Sequence, residues 1–81
     1  MNIINNIKGF LIEQEYSISV YKNKVYVYNY ILLPKFNDIE ITIIFINKKI
    51  TICGKELKII KMEEKELLIT GEIERMIFKH E

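Results

Sequence analysis

Alternation is the feature that most limits what this chain can fold into. In "YSISVY", Tyr16, Ile18 and Val20 share one parity, and Ser17 and Ser19 share the other. "VYVYNY" and "IEITIIF" alternate in the same way. A period of two fits a strand, whose successive side chains point to opposite faces. The residue types agree. Ile, Val, Tyr, Phe and Thr fill these runs, and alanine and tryptophan are absent from the sequence. Branched and aromatic side chains pack well on a pleated surface and lose rotamer freedom in a helix.

Turn signals punctuate the runs about every ten residues, the spacing of a small β domain. "YSISVY" and "VYVYNY" read as a hairpin around Asn23, a residue that tolerates the left-handed conformation. Pro34 marks a strand end or a sheet edge, because it has no amide hydrogen to donate. In "FNDIEITIIFINKK", Ile39, Ile41, Ile43 and Phe45 share one face. The other face carries Glu40, Thr42, Ile44 and Ile46, so half of it is also apolar. "KITIC" reads as a strand broken at Gly54. "LKIIKM", "LLITG" and "EIERMIF" read as three more, with "EEKE" a charged turn between the first two. In "EIERMIF" the parity of Ile73 conflicts with that of Met76 and Phe78. A bulge near Glu74–Arg75 reconciles them, since one extra residue shifts the alternation. His80 and Glu81 read as a loose tail.

The expectation is therefore an all-β domain of about seven or eight short strands, a meander curling into a small sandwich or barrel. A short β-solenoid is the alternative, suggested by an echo between "ITICGKELKII" and "LLITGEIERMI". The echo implies that Gly54 and Gly71 do the same structural job. Residues 1–9 read as a short helical or irregular lead-in, and residues 10–81 as a single domain.

Bulk properties exclude several classes. The chain has 81 residues, 49% of them hydrophobic and 28% charged, which is a globular balance. Its formal net charge of +1 does not imply a strongly basic nucleic-acid binder. The uncharged runs are about half the roughly 20 apolar residues that a membrane helix needs. The start lacks the basic region and cleavage site of a secretory signal. Cys53 has no cysteine partner, which fits a reducing compartment and excludes an internal disulfide. A cytoplasmic protein is expected.

Chemistry is sparse. Nucleophilic catalysis needs a nucleophile and a base within reach of each other, and neither Cys53, Ser17, Ser19 nor His80 has a sequence context that suggests one. The expectation is a non-enzyme with no cofactor and no metal. Lys48, Lys49, Lys55, Lys58 and Lys61 make a locally basic stretch, and Tyr26, Tyr28 and Tyr30 share a strand parity. Small β-barrels bind single strands with stacking aromatics beside basic residues, so a nucleic-acid-binding module is the second reading. The stronger anomaly is apolar surplus. Ile44 and Ile46, and the tyrosine parity opposite Val25 and Val27, put apolar groups on both faces of two strands. Either the sheet is covered on both sides or a patch remains for a partner. Tyr26, Tyr28, Tyr30, Ile44 and Ile46 are the candidate interaction residues.

From Val25 to Phe78 the chain resembles the YabP/YqfC family of small sporulation proteins. "VYVYNY" resembles the family's strand ending in an Asn-aromatic pair, here Asn29–Tyr30. "FNDIEITI" resembles its aromatic–acidic–apolar run. "ITICGKELKIIKMEEKELLITGEIERMIF" is similar to its C-terminal half, where Gly54 and Gly71 fall on the motif. The chain departs from the family by lacking a glycine shortly after the Asn-aromatic pair, and residues 1–24 match poorly. The resemblance implies a non-enzymatic role in spore formation in the mother-cell compartment. With the apolar surplus, it points to an adaptor that docks on a membrane-bound sporulation protein or assembles with itself as a homo-oligomer.

Overall fold

The structure is a computed structural model in which residues 9–12 and 16–80 are described. Of the expected lead-in, residues 1–8 lie outside the described residues, and Gly9 opens the first strand. The fold is all-β. Its strands are β1 (Gly9–Ile12), β2 (Ser17–Val20), β3 (Lys24–Tyr28), β4 (Leu32–Phe36), β5 (Glu40–Phe45), β6 (Lys48–Met62) and β7 (Glu66–His80). Among the described residues they form one seven-stranded sheet in the order β1-β2-β3-β7-β6-β5-β4. Two meanders, β1 to β3 and β4 to β7, are thus joined by the pairing of β3 with β7.

Every pairing is antiparallel. This overturns the solenoid alternative, whose stacked rungs are parallel. Links as short as those within each meander allow hairpins but not parallel crossovers. The sheet does not close into a barrel either, because β1 and β4 remain at its two ends.

The sheet instead doubles over on itself. Residues 29–31 connect β3 to β4, although these strands stand four places apart in the sheet. Four spacings across a flat sheet measure about 19 Å. The linker spans at most about 14 Å. A second observation agrees. The rings of Tyr16, beside β2, and Phe45, at the end of β5, have centroids 4.5 Å apart despite three intervening strands. Only a sheet folded face to face brings them together.

The fold line crosses β6 and β7, each 15 residues long. The sequence pattern suggests four short strands here, broken at Gly54 and ended at Gly71. The glycines bend two continuous strands instead. A Cβ on Gly54 would collide with the Glu72 carbonyl oxygen. A Cβ on Gly71, whose φ is +135°, would stand 2.7 Å from the Glu56 carbonyl oxygen. Each glycine therefore makes room for the backbone of the other strand at the bend. Glu56 takes a φ of 52°, unusual for a residue other than glycine. The β4–β5 turn closes over this point, with the Gly54 amide donating to the Ile39 carbonyl and the Leu57 amide to that of Asp38. The register also shifts between Cys53 and Gly54, so that Arg75 pairs with Cys53, Ile73 with Gly54, and Glu74 is the extra residue. That is the bulge expected from the parity conflict.

The core lies between the two layers. Ile18, Val25, Val27, Leu67 and Ile69 come from one layer, and Ile41, Ile43, Phe45, Ile50 and Ile52 from the other. Each such side chain contributes roughly 1.5–3 kcal/mol on leaving water. Three smaller expectations fail. Ile39 precedes β5 and is exposed rather than sharing the buried face of Ile41. Ser19 is buried although it has the outer parity, because neighbouring strands flank it on both sides. His80 is no loose tail, since it pairs with Lys48 at the end of the β6–β7 ladder.

Candidate functional site

The outer face of β3, β7 and β6 carries a trio of interacting polar and charged side chains. Tyr26 of β3 stands opposite Leu68 of β7, which stands opposite Lys61 of β6. Glu66 is two residues from Leu68 on the same face, within reach of both neighbours. The Lys61 Nζ lies 3.1 Å from the Glu66 Oε1. Hydrogen bonds from Tyr26 and then from Lys61 hold the Glu66 carboxyl below its ordinary value. The bond to Glu66 raises Lys61. Desolvation, then the bond to Glu66, raises Tyr26. The trio ties three strands together across the surface. It leaves no group poised for acid–base work near neutral pH.

Beside it, Tyr21, Lys22, Asn23, Lys24, Tyr26 and Leu68 line a shallow groove at the β2–β3 hairpin. The hairpin closes through the Tyr21 amide, which donates to the Lys24 carbonyl at 2.8 Å. Asn23 does not use the left-handed conformation it tolerates; Asn29 and Asn47 do adopt it, with φ of 67° and 62°.

The three tyrosines do not form one platform. Tyr26 and Tyr28 lie on the outer face of β3, where Tyr28 is 44% exposed. Asn29 turns the chain, and Tyr30 then packs against the core while its hydroxyl donates to the Glu63 carbonyl at 3.2 Å. The expected shared face ends at Tyr28 because β3 ends there. The basic stretch is also divided. Lys58 and Lys61 lie past the bend, whereas Lys48 and Lys49 lie before it, beside β5.

Ile44 is half-buried between Leu32 and Lys49 on the outer face of the other layer. Ile46 sits exposed in the β5–β6 turn. They do not join the tyrosines, which belong to the opposite layer. Apolar exposure is instead concentrated along the rims. Leu32 and Phe36 are exposed on β4, Ile60 and Met62 on β6, and Ile77 and Phe78 on β7. No local pattern encodes this distribution, since pairing between distant strands decides which segments become rims. Asn29, Gly54 and Gly71 are placed at the linker turn and the two bends.

Cys53 is half-buried, paired in register with Glu40 and Arg75. Among the described residues, no three His, Cys, Asp or Glu side chains converge as a metal site would require, and no helix is long and apolar enough to cross a membrane. Comparison with known proteins finds no matching family model, no matching curated protein and no matching solved structure.

Proposed function

We propose that this chain is a non-enzymatic docking domain that assembles with itself or seats on a membrane-bound partner, in the manner the YabP/YqfC resemblance implies for a sporulation protein. The observation that supports it is the apolar exposure on the sheet rims: Leu32, Phe36, Ile60, Met62, Ile77 and Phe78. Strand rims carry unpaired amides and carbonyls, and apolar side chains beside them favour the addition of another strand. A chain of 81 residues that also leaves large apolar groups in water has a reason to bury them on a partner. The tyrosine–lysine groove supports the second reading, a nucleic-acid-binding module, through base stacking beside phosphate contacts. Glu66 weakens that reading, because it already engages Lys61 and Tyr26.

The test is recovery of a tagged chain from sporulating cells, together with its mass in solution. A membrane-bound sporulation protein in the eluate, or a self-assembled species, supports docking. A monomer that recovers neither contradicts it. Salt-sensitive binding of single-stranded oligonucleotides would favour the second reading, and no binding at low salt would remove it.

A further inference from the structure

The folded sheet has four free rims among the described residues: β1, β4, residues 58–62 of β6 and residues 72–80 of β7. β4 is blunted by Pro34, which offers no amide hydrogen, and by a register irregularity between Leu32 and Lys35. Residues 58–62 carry a second irregularity between Ile59 and Lys61, and they are flanked by Lys58 and Lys61. Such features discourage strand addition. The β7 rim differs. From Arg75 to His80 it runs in unbroken register against Cys53 to Lys48. It contains no proline, and Ile77 and Phe78 are 37% and 49% exposed on its two faces.

Its charges are also ordered. Glu72 and Glu74 stand at the start, and Arg75 and Lys79 follow towards the end, before His80. An antiparallel pairing of this rim with its own copy lays the acidic start of each strand beside the basic end of the other. A parallel pairing would stack like charges. Cross-strand pairs of opposite sign stabilise a ladder and like-charged pairs weaken it. A surface complementary to itself is what a two-fold dimer requires.

We propose that residues 72–80 of β7 pair antiparallel with the same rim of a second copy, joining the two β4-β5-β6-β7 layers into one continuous sheet. The pairing satisfies the outward backbone groups of 72–80. It brings Met76 and Phe78 of each copy side by side on the core face, where Met76 already packs against the core. This inference rests on the docking reading and names a second copy as the occupant.

A charge-swap mixing experiment tests it. One variant carries Glu72→Lys and Glu74→Lys, and the other carries Lys79→Glu and His80→Glu. All four side chains are exposed, and the pair that Glu74 makes with Lys55 at 3.8 Å is itself a surface contact, so both variants should keep the β spectrum of the parent. Light scattering on the intact chain should give twice the 9.7 kDa chain mass, monomers for each variant alone, and the doubled mass again when the two are mixed. A monomeric parent overturns the pairing, and so does failure of mixing to restore the dimer. A parent dimer that neither variant disturbs places assembly on another surface. The self-pairing then falls while the docking reading stands. Recovery of a membrane-bound sporulation protein by a monomeric parent has the same meaning.

Discussion

The two halves of β7 run against the same partner strand in different surroundings. Residues 66–70 lie between β3 and β6, and their inward side chains Leu67 and Ile69 are 0% exposed. Residues 72–80 pair with β6 alone, and Ile77 and Phe78 remain in water. Both halves are rich in apolar residues, and a single bend at Gly71 separates them. Burial along this strand is therefore set by its neighbours and not by its own composition. The first half holds the sandwich together, and the second is free to hold something else.

Truncation should separate the two halves most sharply. Leu67→Ala or Ile69→Ala opens a cavity in the closed core and should lower stability by about 2–5 kcal/mol. Ile77→Ala should cost less than about 1 kcal/mol, because the side chain is already in contact with water. Denaturant unfolding of the three variants checks the contrast. Equal losses would erase the distinction between the halves.

The bend itself comes next. Gly71→Ala forces a side chain into the φ > 0 region and against the Glu56 backbone, with an expected loss of about 1–3 kcal/mol. Gly54→Ala meets the Glu72 carbonyl and should cost at least as much. Thermal unfolding would show this as a lower Tm for each. If both were neutral, the strands would not need to approach so closely at the fold line.

Much of this was legible in the alternation. The hairpin of β2 and β3, the buried parity of Ile41, Ile43 and Phe45, and the bulge at Glu74 all follow from local period and parity. The continuity of β6 and β7 was not. Glycine ordinarily interrupts a strand, and only the approach of Glu72 to Gly54 shows why this one stays within the ladder. The doubling-over depends on β3 finding β7, about 40 residues away in sequence, which no local pattern encodes. The same separation hid the Tyr26–Glu66–Lys61 trio and the free rim of β7. The tyrosine parity extended correctly to Tyr28 and failed at Tyr30, where the positive φ of Asn29 ends the strand.

The smallest expected effect concerns Glu66, in the doubly paired half. Its carboxyl is held below the ordinary value of 4.5, so its contribution is present above that pH and lost as pH falls through the lowered value. Tyr26 and Lys61 are raised, so their contributions are present below the ordinary values of 10.0 and 10.5 and lost as pH climbs through the raised ones. Glu66→Gln should lower the Tm slightly at neutral pH and leave it unchanged in acid, where the carboxyl is protonated in the parent too, so that the acid limb of a Tm-against-pH curve is slightly flatter. An unaltered acid limb would show that the trio is only a surface contact.

Amide hydrogen exchange along β7, followed as a function of protein concentration, tests the difference between its halves most directly. In an unpaired rim, alternate amides point away from the sheet and exchange quickly. The account predicts slow exchange throughout residues 66–70 at every concentration. In residues 72–80 it predicts alternate fast amides at low concentration that become protected as concentration rises. Exchange in 72–80 that does not change with concentration, or that matches 66–70 throughout, would contradict it.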